Sequence, residues 1–309
     1  MLPNILIEEQ GLRDGLQTLP ITIDVENKIE WVNMLIAGGL KRIQVTSFVN
    51  PKLVPQLSDA AEVIKRLPKK NDVVFSALVL NLKGVERAIE AGIKHLSISI
   101  SASNTHSLKN ANKTIEAAKE EFKRMVTLAL ANGITIRGGI QCAFGCRYEG
   151  VIDENLIYNL VQDHLETGVQ EIALADSTGM GNPYQVKRMM QKVKQIANET
   201  PVALHLHNSE NKGYANVIAA LDAGVTQFDT AFGGLGGCPF IKNATGNIAT
   251  EDTVHLLHQL GYTTNINIKE VSKITLAMEA LLNQNNINSQ LHIQGLMYKL
   301  VNQSNIKII

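Results

Sequence analysis

The apolar run VALHLHN, from Val202 to Asn208, carries two histidines two residues apart. Successive side chains of a strand point to opposite faces, so in a strand His205 and His207 project together. Two readings follow. Paired imidazoles can be hydrogen-bonded core residues, since histidine is often partly buried. Beside a carboxylate or an amide oxygen, they also make a common metal-ligand set. The rest of the chain decides between the two.

The elements that would position these histidines are legible from one recurring pattern. A helical segment ends in a small residue and glycine, and a short β-rich apolar run follows. It occurs at LIAGGLKRIQVTSF, IEAGIKHLSISIS, LANGITIRGGIQC, LETGVQEIALADS and LDAGVTQFDTAFG. Glycine suits the left-handed C-cap of a helix, and the run after it is too short and too β-branched for another helix. Near-continuous apolar strands alternating with amphipathic helices indicate parallel βαβ units. The runs NILIEE, DVVFSALV and VALHLHN bring the strands to eight, near residues 4–9, 42–48, 72–79, 95–101, 135–142, 170–176, 202–208 and 226–232. Helices fill the gaps, among them VENKIEWVNMLIAGG and NKTIEAAKEEFKRMVTLALANG.

Eight βα units over about 260 residues is the size of a TIM (β/α)8 barrel. The expectation is an α/β chain with a catalytic barrel over residues 1–262 and a helical C-terminal extension over 263–309 packed on it. VSKITLAMEALLNQ is the clearest helix of that extension. A doubly wound open sheet is the alternative, but no glycine-rich dinucleotide turn follows the first strand; GGLGG follows the last.

Composition narrows the partners. The 309 residues include 29 basic and 29 acidic side chains. Nucleic acid or an anionic membrane as main partner usually leaves a basic excess, so neither is expected. The start, MLPNILIEE, has no basic leader or long apolar core, and no stretch approaches bilayer-spanning length. Three cysteines in a chain of this length make no disulfide framework. A soluble, cytoplasmic protein is expected.

In a barrel of this kind the chemistry sits at the C-terminal ends of the strands. Strand one ends in Glu9 and runs into QGLRDGLQ, with Arg13, Asp14 and Gln17. Strand two carries Gln44, Thr46 and Ser47, strand four Ser99 and Ser101, strand five Gln141 and Cys142, and strand six Asp176. Strand seven supplies His205, His207 and Asn208; after strand eight come Cys238, Asn247 and Glu251. Polar groups this dense would be costly in a core without a function, which favours the metal reading. Asp14, His205, His207 and the amide oxygen of Asn247 form an N/O set without thiolate. Such a set suits Mg²⁺, Mn²⁺ or a related divalent cation better than structural zinc.

The cysteines divide. Cys142 and Cys146 form a lone CxxxC, a weak metal motif, and read as packed thiols. Cys238 closes a stretch with glycines at 233, 234, 236 and 237. It is either an incidental surface thiol or a proton donor or acceptor on a loop able to fold over the site.

Seven motifs then point to one family. They are RDGLQ (Arg13–Gln17), TSFVNPKLVPQ (Thr46–Gln56), NLKG (Asn81–Gly84), SASNTHSLKN (Ser101–Asn110), CAFGCRYEG (Cys142–Gly150), HLH (His205–His207) and GLGGCPF…ATGNIATED (Gly234–Asp252). In this order they resemble the 3-hydroxy-3-methylglutaryl-CoA lyases, of the metal-dependent TIM-barrel lyase and Claisen-condensation superfamily. RDG and HxH are shared across that superfamily, whereas GLGGCP followed by GNxATED is specific to the lyase branch.

The resemblance implies that Asp14, His205, His207 and Asn247 are the metal ligands and that Arg13 faces the thioester and carboxylate of the substrate. It implies that Cys238 is the catalytic cysteine and that Glu9 and Glu251 are acidic residues near the site, Glu9 being counted with Cys238 and Arg13 as catalytic. Gln17, Gln44 and Ser101 join Arg13 as expected substrate contacts. The implied reaction is a retro-Claisen cleavage giving acetyl-CoA and acetoacetate, with Asp14 or Glu9, through water, as the base, Arg13 facing the enolate oxygen and Cys238 protonating the enolate carbon. An acyl-CoA substrate, a homodimer and a place in leucine degradation are implied as well.

The chain departs from the family at four positions. Gln44 stands for a glutamate, Asn208 for an aspartate, Gly139 for a tyrosine and Ala173 for a serine. Glycine for tyrosine is expected to enlarge the pocket enough for a bulkier 3-hydroxy-3-alkylglutaryl-CoA. Two rivals stay open at this point: an acyl-CoA-dependent synthase that condenses 2-oxo acids, and a degenerate metal- or CoA-ester-binding protein without turnover.

Overall fold

Each βα unit forms where its punctuation places it. The computed structural model describes residues 2–237, 246–282 and 287–292. The strands are β1 (Leu6–Glu9), β2 (Arg42–Ser47), β3 (Val74–Val79), β4 (His95–Ser101), β5 (Thr135–Gln141), β6 (Glu171–Asp176), β7 (Val202–Leu206) and β8 (Gln227–Thr230). Between and after them run α1 (Val25–Ala37), α2 (Ala60–Arg66), α3 (Leu82–Ala91), α4 (Asn104–Ala111), α5 (Ile115–Ala131), α6 (Glu154–Glu166), α7 (Pro183–Ala197), α8 (Gly213–Asp222), α9 (Thr250–Gln259) and α10 (Ile268–Leu281). All eight strands pair in parallel and in sequence order, and β8 closes on β1. The fold is a TIM barrel with further helices after it, as expected. Among the described residues, no helix is long and apolar enough to cross a membrane.

Side-chain caps start the helices: Asp24, Asn81, Ser103, Thr114 and Asn182 each accept a backbone N–H from the first turn that follows. Alternation then sorts the strands. In β4 and β5, Ser97, Ser99 and Ser101 pair with Arg137, Gly139 and Gln141 and face the barrel interior. Leu96, Ile98, Ile136 and Ile140 face the helices and are fully buried.

The interior holds an ionic network. Arg137 meets Glu8 Oε2 at 3.1 Å, Glu171 Oε1 at 3.0 Å and Asp229 Oδ1 at 2.8 Å. Arg42 meets Glu8 Oε2 at 2.9 Å and Glu171 Oε2 at 2.6 Å. Each carboxylate here is matched by a guanidinium, the condition for burying charge.

Several strand ends differ from the sequence expectation, and at three of them a bridge lies just beyond the strand. The first strand is Leu6–Glu9 rather than 4–9, and Asn4 instead bridges Thr263. The seventh stops at Leu206, because His207 leaves the ladder to bridge Asn247 in antiparallel fashion. The eighth stops at Thr230, and Ala231 bridges Ala249. The latter two bridges carry residues after β8 back across the C-terminal mouth of the barrel. Within the expected extension, α10 packs on α1 and α9.

Candidate metal centre

The turn after β1 is a single π-helical turn, Gly11–Gly15. The amides of Arg13, Asp14 and Gly15 converge on the Gln10 carbonyl at 3.0, 2.8 and 3.3 Å, which fixes where Arg13 and Asp14 stand. His205 comes from β7 and His207 from just beyond it. Ligand atoms of Asp14, His205 and His207 all lie within 4.8 Å of one another, and all three residues are buried. His205 Nε2 is 3.1 Å from His207 Nε2, and His207 Nε2 is 3.6 Å from Asp14 Oδ2.

Asn247 joins the cluster through its amide nitrogen, which donates to Asp14 Oδ2 at 2.7 Å and to the Leu235 carbonyl at 2.9 Å. Its Oδ1, the atom expected to ligate, is buried without a hydrogen-bond partner. The glycine-rich segment rests directly on these groups. A Cβ at Gly236 would stand 2.5 Å from Asn247 Nδ2 and 2.9 Å from Asp14 Oδ2, and its φ of 106° is glycine's.

These residues fit a divalent cation. Asp229 Oδ2 lies 3.2 Å from His205 Nδ1 and, as a carboxylate, only accepts, so the His205 proton sits on Nδ1. The bare Nε2 then faces His207 Nε2, and one cation would satisfy both lone pairs. Burial opposes ionisation of Asp14, but the Arg13 guanidinium beside it outweighs that and holds the carboxyl well below its usual range. The centre therefore offers one charged oxygen and two imidazole nitrogens, a hard-to-borderline set. Asp229→Asn would disturb the orientation of His205 while keeping its size. Calorimetric titration of Mn²⁺ into ion-free protein should show affinity weakened by about 10–100-fold; unchanged affinity would remove Asp229 from the design.

Arg13 is spoken for at three points. It donates to Asp14 Oδ1, to Gln44 Oε1 and, at 2.9 Å, to Gln10 Oε1. Gln44 thus serves Arg13 as a neutral acceptor with its carbonyl oxygen, which leaves the guanidinium charge less neutralised than a carboxylate would. Gln17 donates to Asp14 Oδ1 at 2.8 Å. Ser101 is engaged locally: its Oγ accepts from the Ser103 amide at 3.1 Å and pairs with His106 Nδ1 at 3.0 Å.

Other expectations change. Glu9 is not brought to the cation site: Glu8 points into the barrel, so the next residue faces outward, where Gly11, Phe232 and Thr250 hydrogen-bond its carboxylate. The space gained at Gly139 is not left open, because a Cβ there would overlap Ser99 Oγ. Asn208 Oδ1 accepts from the Gly213 amide at 2.9 Å. Cys142 and Cys146 are fully buried, as packed thiols should be. Cys238 lies outside the described residues.

Sequence reading assigned no role to Asp176. It is fully buried, Oδ2 accepts from the Gly181 amide at 3.0 Å and Oδ1 has no hydrogen-bond partner. Burial pushes its carboxyl up to about 6, against the pull of His207 and the Gly181 amide. The signal was its place at a strand end; its burial was invisible in the sequence.

Comparison with known proteins agrees with this geometry. The family described as HMGL-like matches residues 4–277. The chain is 38% identical over 267 residues to the hydroxymethylglutaryl-CoA lyase of Bacillus subtilis, covering 86% of this chain and 89% of that protein. It is also 38% identical to the mitochondrial hydroxymethylglutaryl-CoA lyase of Macaca fascicularis, over 86% and 82% of the two chains. A solved HMG-CoA lyase of Acinetobacter baumannii, in complex with coenzyme A and 3-methylmalate, superposes with a TM-score of 0.90 at 36% identity over 99% of this chain and 98% of that one.

Proposed function

The chain belongs to the HMGL-like family, and from that premise we propose that it cleaves 3-hydroxy-3-methylglutaryl-CoA, or a close 3-hydroxy-3-alkylglutaryl-CoA, by a retro-Claisen reaction into acetyl-CoA and acetoacetate or its homologue. The observation that carries this reading is the convergence of Asp14, His205 and His207 beside Arg13 at the mouth of the barrel. Asp14, His205, His207 and Asn247 would hold a divalent cation, Mg²⁺ or Mn²⁺. When bound, such an ion acts as a Lewis acid towards the substrate's hydroxyl and carboxylate oxygens.

The chain's own residues supply the rest. The tertiary hydroxyl must lose its proton as the C–C bond breaks. Asp14 would be held by the cation and Glu9 faces away, whereas Asp176, buried near His207 with one carboxylate oxygen free of hydrogen bonds, is placed to take it. The departing fragment is a thioester enolate. Arg13 has five N–H groups, and the three hydrogen bonds to Asp14, Gln44 and Gln10 leave two for the enolate oxygen. Cys238 delivers a proton to the enolate carbon. Gln17, through Asp14, and Gln44, through Arg13, orient the substrate-facing groups.

Coenzyme A in the Acinetobacter lyase supports an acyl-CoA substrate here. The balanced charge supports neither nucleic acid nor a membrane as partner. A cytoplasmic homodimer serving leucine degradation, built as a barrel over 1–262 with an extension over 263–309, completes the reading.

Purified protein with Mg²⁺ or Mn²⁺ should release acetoacetate from 3-hydroxy-3-methylglutaryl-CoA, stop on chelation, and condense no 2-oxo acid with acetyl-CoA. Metal and ester binding without product would reject the reading. Cys238→Ser should keep metal and substrate affinity yet lose turnover by about 10²–10⁴-fold, since a hydroxyl is a far weaker acid than a thiol. Near-normal turnover in that variant would mean that the proton comes from another group.

A further inference from the structure

We propose that Glu9 is the positioning residue of the metal centre: its buried carboxylate ties together the three chain segments that present Asp14, the glycine-rich stretch and Asn247. The inference rests on the metal reading above and gives Glu9 a role other than chemistry.

Three hydrogen bonds carry it. Glu9 Oε1 accepts from the Gly11 amide at 2.7 Å and from the Phe232 amide at 2.9 Å, and Oε2 accepts from Thr250 Oγ1 at 2.5 Å. Gly11 opens the turn that holds Arg13 and Asp14. Phe232 opens the stretch whose Leu235 carbonyl holds the Asn247 amide and whose Gly236 backbone rests on Asn247 and Asp14. Thr250 opens α9, three residues after Asn247. Phe232 and Thr250 lie 223 and 241 positions from Glu9, so a single group fixes segments that local structure cannot hold in register.

The surroundings suit an anchor. Glu9 is fully buried, and the Phe232 ring packs edge-on against Trp31 with centroids 6.0 Å apart. Glu251 grips the next amide, Gly233, at 3.1 Å, and takes the Thr275 hydroxyl as well. No face of the Glu9 carboxylate reaches solvent, as proton exchange with a substrate would require. Burial pushes its carboxyl up to about 7 despite these hydrogen bonds, so a neutral group is tolerated in its place.

The test compares Glu9→Gln with Glu9→Ala by calorimetric titration of Mn²⁺ into ion-free protein, with kcat, KM and the pH–rate profile measured on the loaded enzyme. Glutamine keeps the acceptor for both amides, and the Thr250 hydroxyl can turn to Thr230 Oγ1, 2.7 Å away. Glu9→Gln is expected within about threefold of the parent in Mn²⁺ affinity and kcat, with an unchanged pH profile. Glu9→Ala is expected to bind Mn²⁺ about 10–100-fold more weakly. Should it fail to fold, Thr250→Val, which of the three Glu9 ties cuts the third and also frees Thr230 Oγ1, is expected to weaken Mn²⁺ binding a few-fold. The proposal is overturned if the folded Glu9→Ala, or Thr250→Val in its place, binds Mn²⁺ as the parent does. It is overturned equally if Glu9→Gln loses kcat as heavily as Glu9→Ala or loses one limb of the pH profile. Absence of Mn²⁺ binding by the parent would instead mark the failure of the metal reading itself.

Discussion

His205→Ala is expected to abolish divalent-cation binding and to cut turnover by at least about 10³-fold while the protein stays folded. Lewis-acid stabilisation contributes several kcal/mol to a transition state, and each ~1.4 kcal/mol is a factor of ten in rate. The fold should survive because His205 is the end of a chain of contacts rather than its centre. Asp229 keeps Arg137 Nη2 at 2.8 Å after the imidazole is gone, so no carboxylate is stranded. The stability cost should then be that of one hydrogen bond and a small void, about 1–3 kcal/mol. Thermal melts with metal titrations and acetoacetate release measure the three quantities. Turnover within tenfold of the parent would end the assignment of this cluster as the metal centre.

Arg137→Met should do the opposite, destabilising the fold by about 3–5 kcal/mol, because it leaves buried carboxylates without their cation. Arg137 meets Glu8, Glu171 and Asp229, and only Arg42 remains to serve the first two. The deficit should depend on pH in a defined direction. In the parent, burial opposes ionisation of Glu8, but Arg137 and Arg42 outweigh it and hold the carboxyl below its usual value. Glu171 stays above its usual value because burial wins despite the same two arginines. Without Arg137 both folded-state values rise above the unfolded value of about 4.3. The folded variant then binds more protons than its unfolded chain, so its stability rises as pH falls from 8 towards 5. The parent's Glu8 contribution persists over that window, being lost only as pH drops through its depressed folded value. Urea midpoints of parent and variant should therefore lie furthest apart at pH 8. A deficit under 1 kcal/mol, or one that grows on acidification, would contradict this account.

Much of the architecture was legible because it is written locally. Glycine C-caps and β-branched runs recur at a regular interval, and each reports only on its own neighbourhood. The HxH spacing placed His205 and His207 on one face, and the barrel rule placed Asp14 beside them. Local patterns were also enough to read Cys142 and Cys146 as packed thiols.

Tertiary structure decided the rest, starting with direction. The pair Glu8–Glu9 must straddle the barrel wall, but nothing local says which carboxylate is inside, since a shift of one residue exchanges the faces. The register of β1 against β2 and β8 puts Glu8 with the arginines and Glu9 with the Phe232 and Thr250 segments. The chain from Arg137 through Asp229 to His205 was hidden for a related reason. Its first step spans 92 positions and exists only once the barrel closes. The gap expected at Gly139 failed because the neighbouring strand brings Ser99 against it, a contact set by pairing across β4 and β5. Spacing along one chain fixes which face of an element a residue shares with its near neighbours. Which side of a closed barrel that face becomes, and what opposes it there, depends on closure of the whole sheet.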